Sequence, residues 1–145
     1  MRPTKYLLDS GILIFALRSD LRAFRLITYL TARGVIATSA INAFEVLRGC
    51  RSGKQLTSTE HLLSRTEIVP LGIRASRHAA QIALAHPGVF GNTNTVPDAL
   101  IAGCAVDGGG AVVTLNGRQF RDLRYPGLEV IMVEQDAVDW TAGIL

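Results

Sequence analysis

Three of the twelve acids in this 145-residue chain stand among apolar neighbours. Asp9 closes the run Tyr6-Leu7-Leu8, and Glu45 is embedded in Ile41-Asn42-Ala43-Phe44-Glu45-Val46-Leu47. Asp98 stands at the mouth of Val96-Pro97-Asp98-Ala99-Leu100-Ile101-Ala102. An ionised carboxylate in such company is costly unless a cation or good donors compensate it. Carboxylates gathered in one crevice also repel one another. A hard cation with oxygen ligands, Mg²⁺ or Mn²⁺, relieves both problems. Such an ion lowers the pKa of a bound water and neutralises charge building on a phosphate, so the chemistry that fits is phosphodiester hydrolysis.

Each acid also has a purely structural explanation. Asp9 can cap a helix running from Ser10 to Leu17. Asp98 can cap its own helix and sit at the positive end of the dipole. Glu45 can pair with Arg48 at i+3 on a solvated face, although its apolar flanks argue against that. Three such coincidences together weigh less than one shared site. Asp20, Glu60, Glu67, Asp107, Asp122, Glu134 and Asp136 fit caps, turns or exposed faces and raise no such question.

The elements that must position the three acids follow from apolar patterning. Lys5 to Leu8 reads as a buried strand ended by Asp9-Ser10-Gly11, and Ile12 to Leu17 as the start of a short helix. Asp20 caps a longer helix through Arg33, stopped by Gly34. Val35 to Thr38 is a second strand. Ser39 caps a helix carrying Ile41, Phe44, Val46 and Leu47, which ends at Gly49 or Gly53. Ser58 to Arg65 reads as helix, Ile68 to Leu71 as strand, Arg74 to Ala85 as helix and His86 to Val96 as a polar loop. Pro97-Asp98 opens a helix ending near Asp107. Ala111 to Thr114 and Leu128 to Val133 are the last strands.

Strands alternating with helices, several of them continuous apolar runs, predict an α/β sandwich around a mainly parallel sheet of four to five strands. In such a sheet the ligand crevice lies beyond the carboxyl ends of the strands, where Asp9, Glu45 and Asp98 would all arrive. Neither repeat nor linker interrupts the chain, so residues 1–145 read as one domain.

Composition narrows the class. With 48% hydrophobic and 19% charged residues the chain is not of the disordered type. Its greasiest stretch, Tyr6 to Leu17, is too short for a membrane span and contains Asp9. An acid there, with no small-residue cleavage site after it, argues against export and for the cytoplasm. Cys50 and Cys104 form no CxxC pair and read as core thiols. The net charge of +3 rests on 13 Arg against 2 Lys. Arginine grips phosphate in bidentate fashion, although a GC-rich genome gives the same bias. His61, His78 and His86 lack zinc spacing. Gly108-Gly109-Gly110 precedes a strand instead of opening a helix, so it is a turn and not a phosphate cradle.

On these residues the sequence resembles a PIN domain, in particular the VapC-type toxins of bacterial toxin–antitoxin pairs. Leu7 to Ile14 is similar to the family's opening strand with its first acid. Thr38 to Gly49 is similar to the second motif, with Glu45 and a trailing glycine. Pro97 to Ala105 resembles the third, Val112 to Phe120 the fourth, and Pro126 to Val130 the approach to the last strand. Four motifs in order at this spacing make the resemblance specific.

The resemblance implies a three-layer α/β/α sandwich and a Mg²⁺- or Mn²⁺-dependent endoribonuclease inhibited by a cognate VapB-type antitoxin. It implies that Asp9 and Asp98 ligate the metal and that Glu45 ligates through water or acts as general base. Asn116 would be a positioning group, and the chain would pair through helices into a homodimer. One departure stands out: many members carry a fourth acid where this chain has Asn116 or Gln119. That implies one firmly held ion.

Arg118, Arg121 and Arg124 follow Asn116 at three-residue intervals and offer RNA a cationic approach, or simply form a solvated turn. The departure at Asn116 and Gln119 leaves a second reading open, a catalytically silent module that binds RNA or protein. A third, phosphoryl transfer through Asp9, would want an acid two residues on, where Gly11 stands.

Overall fold

The computed structural model describes residues 3–91 and 95–144. Its frame is a five-stranded sheet in the order β3-β2-β1-β4-β5, with every neighbouring pair parallel. The strands are β1 (Lys5–Leu8), β2 (Val35–Ser39), β3 (Glu67–Val69), β4 (Ala111–Thr114) and β5 (Glu129–Met132). The helices, in chain order, are α1 (Ser10–Leu17), α2 (Leu21–Thr31), α3 (Ala40–Arg48), α4 (Gly53–Ser64), α5 (Ile73–Ala85), α6 (Pro87–Phe90), α7 (Val96–Gly108) and α8 (Gly117–Phe120).

Side chains alternate across a strand, and here both faces are apolar. Leu7, Ala37 and Val112 point into one core with Ala75, Ile82 and Ile101 of α5 and α7. Tyr6, Leu8 and Val113 point into the other with Ile12, Leu13, Leu26 and Leu30 of α1 and α2. Burial on both sides explains why these strands read as unbroken apolar runs. The expected α/β/α sandwich is present, with the sheet at the upper strand count and wholly parallel.

Boundaries differ from expectation where the apolar pattern was silent. Helix α4 begins at Gly53, not Ser58, because Ser52 caps it by accepting from the Gln55 N–H at 3.2 Å. Residues 53–58 are exposed, so no buried face marked them. Strand β3 covers Glu67–Val69 instead of 68–71, since Pro70 has no N–H to continue the ladder. The expected loop 86–96 contains α6, with Pro87 in its first turn, and Val96 already belongs to α7; its Asn92, Thr93 and Asn94 lie outside the described residues.

Two packing features fix the helices that carry the acids. α5 and α7 meet so closely at Gly103 that a Cβ there would lie 2.4 Å from the Ala75 carbonyl oxygen. On the other face Trp140 is buried against Phe15 of α1, ring edge to ring face at 5.3 Å, with the Arg22 guanidinium 4.6 Å from its ring.

Candidate active site

The chain leaves β1 toward β2 on one side and reaches β4 on the other, so the sheet changes direction at β1 and β4. A crevice opens outside the carboxyl ends of strands at such a point. Leu8 pairs with Val113 in register, and the next residues out are Asp9 and Thr114. The Asp9 N–H continues the ladder to the Val113 carbonyl at 2.9 Å, which fixes the base of its side chain.

The Asp9 carboxylate is nearly buried, at 8% exposure, and both its oxygens are engaged. Oδ1 accepts from the Ser10 N–H and from Asn42 Nδ2, each at 2.9 Å. Oδ2 accepts from Thr114 Oγ1 at 2.6 Å. Asp9 therefore does cap α1, as its structural explanation required, but only one of three donors comes from that helix.

Glu45 joins this set through Ser10. The Ser10 hydroxyl accepts from Asn42 Nδ2 at 2.9 Å and donates to Glu45 Oε1 at 2.8 Å. No ion pair with Arg48 forms among the described residues; the Arg48 guanidinium stands over the Phe44 ring instead. Asn42 is fully buried and holds the centre. Its Oδ1 accepts from Ser39 Oγ at 2.6 Å, while its own N–H donates to that oxygen at 3.0 Å.

Asp98 enters from the first turn of α7. Burial pushes its carboxyl up to about 7, and the charges of Asp9 and Glu45 add to the rise. Asp98 thus lies near enough to Asp9 and Glu45 to feel their charges, although the three are distant in sequence. Among the described residues no three acid, histidine or cysteine side chains close on a point as a ready-made cage. An ion held by one or two carboxylates and several waters does not need one, and that is how Mg²⁺ usually binds.

Asn116 and Asp9 share a cleft of about 330 Å³, with Gly11, Phe15, Leu115 and Gln135. Thr114 ties the two together: the hydroxyl that donates to Asp9 accepts from the Asn116 N–H at 2.9 Å. Arg118 and Arg121 are exposed on and just after α8, and neither lines this cleft.

The PIN domain model matches residues 6–124. The chain belongs to the PIN domain family. The fold of this PIN domain is shared by a chain in the crystal structure of VapBC2 from Rickettsia felis bound to a DNA fragment from its promoter. That similarity has a TM-score of 0.74 and 20% identity, covering 88% of this chain and 98% of that one. DNA-bound VapBC from Salmonella typhimurium gives 0.69 at 26% identity, over 88% and 97%. VapBC-1 from nontypeable Haemophilus influenzae gives 0.72 at 19%, over 94% and 98%. No curated protein matches this PIN domain in sequence.

Nothing in the local sequence marks Ser10, Asn42 or Thr114 as part of the site. Ser39 was legible as a cap, and Asn42 three residues on completes a capping box. That the other edge of the Asn42 amide faces Asp9 depends on how α3 packs against α1.

Proposed function

We propose that this PIN domain is a metal-dependent endoribonuclease, the VapC-type toxin of a toxin–antitoxin pair. The observation that carries the reading is the convergence of Asp9, Glu45 and Asp98, with Asp98 raised to about 7 by burial and by the two other charges. An all-oxygen, anionic donor set of this kind suits Mg²⁺ or Mn²⁺. Asp9 and Asp98 would hold the ion, which when bound supplies an activated water and charge neutralisation at the phosphate.

The chain's own groups have the remaining work. Asn42, Ser10 and Thr114 hold the Asp9 carboxylate in one orientation, so little reorganisation is needed when substrate arrives. Glu45 has one oxygen committed to Ser10, and among the described residues the other takes no hydrogen bond. That free oxygen is the base that accepts a proton from the attacking water. The Asn116 amide, in the same cleft as Asp9, positions that water or a phosphate oxygen. Arg118 and Arg121, exposed beyond Asn116, are candidates for contacts to RNA phosphates.

A cognate VapB-type antitoxin and a second copy of the chain are the proposed partners. Exposed apolar side chains on helices, Leu21 and Phe24 on α2 and Ile73 and Leu84 on α5, support both. Among the described residues no helix is long and apolar enough to cross a membrane.

The test is cleavage of end-labelled total tRNA and structured rRNA fragments by the parent chain and Asp98→Asn, each in Mg²⁺, Mn²⁺ and EDTA. Discrete products that require metal and vanish in the variant are expected. Folded protein that binds metal and cuts neither pool overturns the nuclease reading in favour of a silent binding module.

A further inference from the structure

A second depression, about 730 Å³, lies beside the acids between the end of α1, the end of α3 and the first half of α4. That volume falls among those of ligand clefts, roughly 300–1,000 Å³. Glu45 forms part of its wall, so the groove borders the candidate active site. Its other charged walls are Arg18, Arg51 and Lys54, all exposed.

These three cations differ from several others on the molecule. Lys5, Arg22 and Arg74 are each held by an acid: Glu67, Asp20 and Asp107. Among the described residues Arg18, Arg51 and Lys54 have no such partner, and Glu45 is bonded to Ser10 and not to any of them. Unneutralised positive charge along a concave wall focuses its field on an anionic chain.

The polar part of the lining suits a nucleic-acid backbone. The apolar residues in the wall, Ile14, Leu17 and Val46, are half-buried or buried, whereas the three cations stand exposed. Ser52, Gln55 and Ser58 offer hydroxyl and amide groups suited to phosphate oxygens and 2′-hydroxyls. Among the described residues no aromatic ring lines the groove to stack a base.

We infer that this groove carries the sugar–phosphate backbone of a single-stranded RNA, with Arg18, Arg51 and Lys54 contacting phosphates that flank the one cut at Asp9, Glu45 and Asp98. The inference rests on the nuclease reading and adds the path by which substrate reaches the acids. Backbone contacts of this kind position the strand without reading its sequence.

The experiment measures anisotropy of a fluorescein-labelled single-stranded RNA of about 12 nucleotides in EDTA, with Asp98→Asn in every protein so that nothing is cut. Arg18→Gln/Arg51→Gln/Lys54→Gln is expected to weaken binding at least tenfold at low salt. It should also reduce the slope of log affinity against log salt by about 2, from three contacts at about 0.7 each. Arg25→Gln/Arg65→Gln/Arg77→Gln removes the same charge from exposed positions outside the groove and is expected to cost less than threefold.

Equal behaviour of the two triple variants overturns the groove assignment and leaves the nuclease reading intact. Folded parent protein that binds no RNA even at low salt overturns both. Unchanged RNA affinity with lost affinity for the purified cognate antitoxin reassigns the groove to the protein partner. Arg51→Gln alone guards against a folding defect in the triple variant and should show about a third of the slope change.

Discussion

Asn42 Nδ2 donates to Asp9 Oδ1 at 2.9 Å, joining the first turn of α3 to the end of β1 across a distance of 33 residues in the chain. The same amide group reaches Ser10 Oγ, so one buried side chain sets the orientation of Asp9 and, through Ser10, of Glu45. Among the described residues every buried side-chain nitrogen and oxygen has a partner. Asp9 and Asn42 are therefore fully engaged, and removing Asn42 leaves several buried groups unpaired.

Asn42→Ala strips one donor from Asp9 and leaves Ser39 Oγ without its acceptor. Each buried polar group left unpaired costs about 1–3 kcal/mol, so a total loss of about 3 kcal/mol is expected by urea denaturation. Cleavage should fall at least tenfold at a temperature where the variant is still folded. A variant as stable and as active as the parent would show that Asn42 does not orient the acid.

Thr114→Val keeps the shape of the side chain but loses both the donor to Asp9 Oδ2 and the acceptor for the Asn116 N–H. A cost of about 2 kcal/mol and a loss of cleavage are expected, whereas Thr114→Ser keeps the hydroxyl and should retain most of both. Equal kinetics for the two variants would argue that the hydroxyl is dispensable.

Asp98 gives the metal-free protein an acid-side stability window. Its folded value of about 7 exceeds the 3.8 of the unfolded chain, so the folded form keeps a proton that the unfolded form releases. Stability from this group is fully present below about pH 4 and is lost as pH rises toward about 7. In EDTA the melting temperature should decline across that window, and Asp98→Asn should flatten the decline. Above about pH 7 the variant should melt roughly 3–8 °C higher than the parent.

Divalent metal should act in the opposite sense. Millimolar Mg²⁺ or Mn²⁺ is expected to raise the melting temperature of the parent chain near neutral pH and to leave Asp9→Asn and Asp98→Asn unmoved. An identical rise in all three proteins would place the ion away from these acids.

Gly103→Ala tests the packing that brings Asp98 to the site. The added methyl would meet the Ala75 carbonyl oxygen at 2.4 Å and the Ala79 nitrogen at 2.7 Å. Backbone atoms cannot step aside as a side-chain tip can, so α5 and α7 must separate, at about 3 kcal/mol. Thermal melting reads the loss; an unchanged melting temperature would mean that the helices have slack at this crossing.

The sequence by itself determined the layers and the acids. Apolar runs at residues 6–8 and 111–113 demanded a sheet covered on both faces, and Asp9, Glu45 and Asp98 stood out because carboxylates are costly in apolar company. Local chemistry also marked the caps at Asp20 and Ser39, since a cap is a contact between near neighbours in the chain. The start of α4 escaped because its first residues bury nothing, and the end of β3 because apolar residues outlast the pairing that Pro70 stops.

Only the tertiary structure decided what surrounds the acids. The pairing of β1 with β4 placed Thr114 beside Asp9, and the packing of α3 on α1 turned Asn42 and Ser10 into a bridge to Glu45. The packing of α1, α3 and α4 gathered Arg18, Arg51 and Lys54 along one groove, whereas regular spacing in the sequence points to Arg118 and Arg121. Periodicity reports which face of an element is buried. It does not report which other element lies across that face, and hydrogen bonds between distant residues depend on that choice.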